Sequence, residues 1–196
     1  TRLADRVQPR LIVATSGLAL PGSPAPVIAP DLARWEATPP LTPLQGDPHA
    51  EAYVIFTSGT SGRPMAVCHA HRAILARAAM HDGWEGLTPD DRLLHAGAMS
   101  WTYTLGTGLL DPWTLGATAL VPAPGTPPTA LPALLARSNA TICAAAPGIY
   151  RQMLRADLPA LPHLRHGLSA GEALPDATRR SWEAKTGTQL HEALGM

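Results

Sequence analysis

The densest chemistry in this chain sits in consecutive residues Thr57, Ser58, Gly59, Thr60, Ser61, Gly62 and Arg63. Glycines let a backbone approach a ligand closely, and successive N–H groups in such a turn form a concave anion site. The hydroxyls donate without adding charge, and the Arg63 guanidinium suits phosphate oxygens. The combination predicts a phosphate-binding loop. The plain alternative is a flexible turn, which is what most Gly/Ser/Thr clusters are. A Walker loop is excluded, because Pro64 and Met65 stand where that spacing needs glycine and lysine.

A second concentration is Ser169-Ala-Gly-Glu-Ala-Leu174. Small residues admit a flat ligand, and Glu172 offers acceptors. The simpler reading is a tight strand-to-helix turn before Pro175. The overlapping Gly167-Leu-Ser-Ala-Gly171 also fits the G-x-S-x-G nucleophile elbow of serine hydrolases, with Asp176 and His191 following in order. Its context argues against that use. Pro162 interrupts the preceding strand, Arg165 and His166 charge it, and the helix starts near Pro175 rather than at the serine. His191-Glu192-Ala-Leu-Gly195 has no second histidine, so it is not a zinc-protease sequence. Trp101 and Tyr103 are either walls of an apolar pocket or plain core. His69, His71 and His95 read as structural, and Trp35 as an isolated core anchor.

These residues need a frame. Leu11–Ala14, Tyr53–Phe56, 65–68, 92–98, 117–121, 140–145, 164–170 and the stretch from Thr188 read as strands, with Val27-Ile28 as a further short one. Helices are expected over 71–80, 102–115 with a break near Pro112, 129–137 with Thr129 as N-cap, 147–155, and 175–185 ended by Gly187. Residues 21–48 are rich in proline and read as a connecting excursion. Strands alternating with helices predict an α/β fold: a mostly parallel sheet flanked by helices, with ligands at the strands' carboxyl ends. The loop after Phe56 is expected to lie at such an end.

Composition narrows the classes. Hydrophobic residues make up 45% and charged residues 15% of the chain, which favours a well-buried globular domain over disorder. The formal net charge of zero gives no general attraction to nucleic acid or to membrane, and neither is expected as a partner. No apolar run is long enough to span a bilayer. Cys68 and Cys143 form no metal pattern, and reduced thiols suggest a cytoplasmic protein. Thr1 and Met196 read as cut ends, so a fragment is expected.

Phe56-Thr-Ser-Gly-Thr-Ser-Gly-Arg-Pro64 resembles the phosphate loop of the adenylate-forming superfamily, which includes acyl-CoA synthetases. Met65 and Ala66 depart from it, standing where the family has lysine and glycine. Gly171-Glu172-Ala173-Leu174 resembles the family segment that lines the adenine and acyl pockets. Glu192-Ala-Leu-Gly-Met196 resembles its Asp/Glu-Gly-Tyr-Gly-Met segment, with Leu194 in place of the tyrosine that stacks on adenine. Ser100 to Trp113 looks like the acyl-pocket helix of benzoate- and medium-chain-type acyl-CoA synthetases. The resemblance runs in order over 48–196 and only loosely over 1–47.

The resemblance implies part of the large N-terminal domain of an enzyme that uses Mg²⁺ and ATP to turn a carboxylic acid into an acyl-adenylate, then passes the acyl group to CoA. It places ATP phosphates on residues 57–63. Adenine falls to Gly171, Glu172, Ala173, Glu192, Leu194 and Gly195, and the acyl group to Trp101, Tyr103, Ser169 and Ala170. No catalytic residue and no metal ligand is expected within the chain. The family's magnesium-binding glutamate, lid domain and catalytic lysine are expected beyond Met196. Met65 keeps a catalytically defective nucleotide- or acyl-binding relative open as an alternative, and the Ser169 hydrolase is the third reading.

Overall fold

The computed structural model describes residues 3–14, 20–42, 45–57 and 64–194. The chain divides into two compact units, residues 1–47 with 57–67, and residues 48–56 with 68–196. Among its described residues the first holds two short helices, α1 (Ala4–Val7) and α2 (Leu32–Glu36). Strands β1 (Ile12–Val13) and β2 (Val27–Ile28) pair in parallel there. The Asp31 carboxylate caps α2 by accepting from Arg34 N. Trp35 on α2 is 46% exposed, so it is not the core anchor expected of it.

Strands β3 (Glu51–Thr57) and β4 (Met65–Ala70) pair in a two-stranded sheet of their own. The expectation that β3 belongs to the parallel sheet is therefore corrected. The connection between them is too short for the crossover that parallel neighbours need, so β4 returns directly to β3.

The second unit carries the main sheet. Its strands are β5 (Arg92–His95), β6 (Thr118–Leu120), β7 (Ile142–Ala145), β8 (His166–Ser169) and β9 (Gln189–Glu192). Among the described residues they run parallel in the order β6-β5-β7-β8-β9. Central β7 and β8 are buried at every position, as strands covered on both faces must be. One face bears Leu93, Ile142, Ala144 and Leu168 and packs on Leu87, Trp84, Tyr103 and Leu115. The other bears Leu94, Cys143, Ala145 and Leu190. It is covered by α7 (Leu131–Arg137), α8 (Pro147–Met153) and α9 (Asp176–Thr186) through Leu135, Tyr150, Met153 and Trp182.

Tyr150 joins the central strands from that side. Its hydroxyl lies 2.7 Å from the Cys143 carbonyl and 3.1 Å from the Leu168 carbonyl. Gly167 makes this possible, since a Cβ there would sit 2.3 Å from Leu190 and 2.8 Å from the Tyr150 hydroxyl. At the opposite end of the sheet, the buried Asp91 carboxylate accepts from Thr88 N, Thr141 Oγ1 and Arg165 Nη2 at 2.8, 2.5 and 2.6 Å.

The helices on the Tyr103 side are less regular than periodicity predicts. The segment expected as one helix over 71–80 comprises α3 (Arg72–Ala76) and α4 (Ala78–Met80), continued by a π-helical turn, His81–Glu85. The segment from 102 comprises α5 (Thr102–Leu105), a second π-helical turn (Gly106–Leu110) and α6 (Asp111–Leu115). Pro112 stands just after that π-helical turn in a backbone that stays helical from Thr102 to Leu115, so the helix is distorted before the proline rather than broken at it. Thr129 caps nothing: it lies inside a 3₁₀ turn, Pro128–Ala130, that leads into α7.

Candidate functional site

Strand order places a topological switch between β5 and β7, whose following segments leave toward opposite sides. Such crevices, and the carboxyl ends of parallel strands generally, collect ligands. Two cavities open at this edge. The one beyond β8 and β9 measures about 180 Å³ and is lined by Gly171, Glu172, Ala173, Glu192, Ala193 and Leu194. The other, about 450 Å³, lies at the switch and has apolar walls that include Met99, Val121, Leu131 and Ile149.

The first cavity forms because β8 and β9 end in register, with Ser169 opposite Glu192. Glu192 Oε1 accepts from Leu174 N at 2.6 Å, and its Oε2 lies 3.2 Å from Arg179 Nη2. Arg179 also donates to the Leu190 carbonyl. Glu192 thereby ties the turn 170–174 to α9 and β9. Glu172 accepts from Gly148 N at 3.0 Å and lies 3.7 Å from Arg151. Leu194 is 99% exposed and offers a bare aliphatic face at the rim. Both carboxylates are already matched by an arginine and a backbone N–H, so this donor set does not suit Mg²⁺, which takes largely unengaged oxygens in an octahedron.

Gly171 connects this cavity to the aromatic residues. Its φ of +98° excludes easy replacement, and a Cβ would fall 2.6 Å from the Trp101 ring. Trp101 meets Tyr103 edge-on at 5.2 Å, and Tyr103 meets His95 edge-on at 4.4 Å. The Tyr103 hydroxyl donates to the Leu168 carbonyl at 3.1 Å, and burial pushes its pKa well above the ordinary tyrosine value. His95 Nδ1 accepts from Gly97 N, and burial lowers the imidazole to about 3, so the ring stays neutral with its proton on Nε2.

The structure thus gathers Gly171, Glu172, Ala173, Glu192 and Leu194 around one cavity, with Trp101 against Gly171 and Tyr103 behind it. Ser169 stands apart. It alternates with Leu168, whose side chain joins the Tyr103 face, and so projects to the α8–α9 side, fully buried and with its Oγ unpartnered. It is therefore no wall of a pocket formed by Trp101 and Tyr103. The same alternation removes the hydrolase reading. His191 pairs with Leu168 in register, on the face opposite Ser169, and meets the His166 ring edge-on at 5.2 Å. Ala170, which follows Ser169, is buried as well. Thr57 ends β3, whereas Ser58, Gly59, Thr60, Ser61, Gly62, Arg63 and Gly195 lie outside the described residues.

Sequence reasoning missed a buried charge network on the Tyr103 side of the sheet. Arg77 donates to Asp111 through Nε at 2.7 Å and again through Nη2, and Nη2 also reaches Thr107 Oγ1 at 3.1 Å. The Thr107 hydroxyl donates to Glu85 Oε1 at 3.0 Å, and His81 Nε2 lies 3.7 Å from Asp111 Oδ1. The one legible signal was Asp111, an acid inside an otherwise apolar helix.

Residues 5–196 match the AMP-binding family, described as AMP-binding enzyme. The chain is 36% identical over 159 residues to the 3-hydroxybenzoate–CoA/4-hydroxybenzoate–CoA ligase of Thauera aromatica, covering 79% of the chain and 30% of that ligase. It is 36% identical over 147 residues to the mitochondrial acyl-coenzyme A synthetase ACSM2 of Rattus norvegicus, covering 74% of the chain and 26% of that enzyme. The anthranilate CoA ligase AuaEII, solved with anthranoyl-AMP, superimposes with a TM-score of 0.76 at 26% identity, over 95% of this chain and 36% of that one. A benzoate CoA ligase from Burkholderia xenovorans LB400 shares the fold at a TM-score of 0.85 and 24% identity, over 99% of this chain and 42% of that one. The chain therefore spans less than a third of the curated relatives' length. The family match runs through residues 57–63 and both segments of the Gly171–Glu192 cavity, and the chain belongs to the AMP-binding enzyme family.

Proposed function

We propose that the protein carrying this chain activates a carboxylic acid with ATP, forming an acyl-adenylate and pyrophosphate, and transfers the acyl group to the thiol of CoA. The observation that carries this reading is the convergence of Gly171–Ala173 and Glu192–Leu194 on one cavity at the carboxyl edge of a parallel sheet, in a chain of this family.

The adenine lies against Gly171 and Ala173, with Leu194 covering one face in place of an aromatic ring, and Gly195 completes the wall. Glu172 and Glu192 hold the two walls at a fixed spacing through their arginine and backbone partners. Residues 57–63 take the phosphates through backbone N–H groups, hydroxyls and the Arg63 guanidinium, which offset the charge that develops as pyrophosphate leaves. The acyl group rests between Trp101, Tyr103 and Ala170, where the aromatic faces exclude water and fix its carboxylate toward the α-phosphate. Magnesium arrives with ATP. The ligases and synthetases similar to this chain act on aromatic or other acyl acids, and an aromatic or medium-chain acid is the proposed substrate, with the reaction in the cytoplasm.

The test is acid-dependent ATP–pyrophosphate exchange by the full-length protein, over a panel of aromatic and medium-chain acids. Exchange is expected with at least one acid and is lost in Gly59→Val, which crowds the phosphate loop. A protein that binds ATP but exchanges with no acid is the defective relative that Met65 favours. Unchanged ATP affinity in Gly59→Val removes the phosphate role of the loop.

A further inference from the structure

The buried network beneath the aromatic residues combines two acids with one strong base. Glu85 is 0% exposed, Asp111 1% and His81 5%. Among the described residues, His81, Glu85 and Asp111 offer ligand-type atoms within 4.8 Å of one another, and His81 Nε2 and Glu85 Oε2 have no hydrogen-bond partner. A metal ion is nevertheless the wrong occupant. The Arg77 guanidinium already binds both Asp111 oxygens and lies 3.9 Å from Glu85 Oε1, so the place of the cation is filled. A divalent ion there would face that guanidinium in a low-dielectric setting.

One guanidinium does not balance two buried carboxylates, and a second negative charge in the same site is strongly disfavoured. The remaining neutraliser is a proton. We propose that Glu85 is a protonated latch that holds the π-helical turn 81–85 against α6, and that its ionisation loosens the Trp84–Tyr103 contact.

The geometry supplies the linkage. Glu85 Oε1 accepts from Thr107 in the second π-helical turn and lies 3.9 Å from Arg77 at the α3–α4 junction, while His81, one turn earlier, and Asp111 on α6 bring ligand-type atoms within 4.8 Å of it. Tyr103 on α5 and His166 on β8 also face it, the latter through a 2.7 Å contact of Nε2 with the Glu85 carbonyl. Arg165 reaches the next carbonyl, that of Gly86, at 2.8 Å. The residue just before Glu85 is Trp84, whose ring lies 6.0 Å from Tyr103. A shift of the Glu85 carboxyl is therefore felt one residue away at the aromatic cluster. Burial raises the Glu85 carboxyl to about 8, the Asp111 carboxyl adds to the rise, and Thr107 and Arg77 oppose it. The latch is closed at neutral pH and opens on the alkaline side. It stands on the buried network alone and holds whether or not Tyr103 lines an acyl site.

The experiment is a pH titration of tryptophan emission in the full-length protein, with Trp84→Phe subtracted to isolate the Trp84 signal. A one-proton transition near pH 8 is expected in the wild type and is absent in Glu85→Gln, whose neutral amide keeps the latch closed. No Trp84-dependent transition, or the same transition in Glu85→Gln, overturns the proposal. A second measurement covers the case in which Glu85→Gln does not fold. Infrared spectra of protein with carboxyl-labelled glutamate are expected to show one isotope-shifted carboxylic-acid band at pH 7 that disappears by pH 9.5. Absence of that band at pH 7 overturns the proposal equally.

Discussion

Gly171→Ala probes the joint between the cavity and the aromatic wall, and its cost divides into two parts. The backbone part follows from φ +98°, where an L-residue pays about 1–2 kcal/mol or more. The packing part follows from a Cβ placed 2.6 and 2.8 Å from Trp101 ring atoms. Trp101 is 39% exposed, so it can swing outward, but it then gives up its contact with Tyr103. Overpacking of this kind costs about 1–3 kcal/mol. The sum is about 3 kcal/mol in the wild-type background. In a Trp101→Ala background the packing part disappears and about 1–2 kcal/mol remains. Urea unfolding followed by circular dichroism measures both, and the double-mutant cycle gives a coupling of about 1 kcal/mol or more. Equal costs in the two backgrounds would refute the contact between Gly171 and Trp101. A cost within about 0.5 kcal/mol of zero in both would refute the backbone argument as well. In the wild-type background the substitution is also expected to weaken ATP binding, because the displaced ring moves the turn that lines the cavity.

Four further outcomes are expected. Tyr150→Phe removes the buried hydroxyl donor from the Cys143 carbonyl, while the Leu168 carbonyl keeps the Tyr103 hydroxyl, and lowers stability by about 1–3 kcal/mol, read as a shift in urea midpoint at unchanged m. Burial pushes the Asp91 carboxyl up, but bonds from Arg165, Thr141 and Thr88 prevail and hold it below the ordinary aspartate value. Its contribution is therefore present above that value and is lost as pH falls through the lowered one, so wild-type and Asp91→Asn stabilities converge in acid. Glu85 has the opposite sign: its penalty is absent below the ordinary glutamate range, grows as pH rises and is complete above about 8, so Glu85→Gln is the more stable protein in alkali, by equilibrium unfolding at pH 6 and pH 9. Met65, 56% exposed on β4, stands where the family has a lysine, and Met65→Lys is expected to raise acyl-adenylate formation; a flat or lower rate means that the loop works without that charge.

The alternation of apolar runs with helical periods was enough to predict the parallel sheet: β7 is covered on both faces and wholly apolar, whereas β8, with His166 and Ser169, is legible mainly from its place in that alternation. The end of α9 at Gly187 was equally plain. Other features have no local signature. A π-helical turn inserts one residue into a helix, and nothing in the periodicity of 81–85 or 106–110 announces it. The Arg77–Asp111 pair joins residues 34 apart, a separation that a single sequence does not connect. The sidedness of Ser169 turned on register in a weak strand: moving the strand by one residue exchanges the faces of Leu168 and Ser169. Pro112 looked like a break because proline usually is one, but the π-helical turn just before it lets the helix run on. The segments that meet at the Gly171–Glu192 cavity were identified through resemblance, whereas their joining through Glu192, Leu174 and Arg179 became visible only in three dimensions.

The two cysteines differ in a way that makes the chain its own chronometer. Cys143 lies fully enclosed in β7, and burial pushes its thiol up to about 12 against a smaller opposing effect of Tyr150, whereas Cys68 is exposed. Alkylating reagents attack the thiolate and must first reach it. Cys68 therefore takes up a first adduct from the native protein, while a second adduct records an event in which the central strands part. Counting adducts on the Cys143 peptide by mass over time gives the frequency of that parting without any introduced label. Carried out with and without ATP, the same count reads how far nucleotide binding quiets the middle of the sheet.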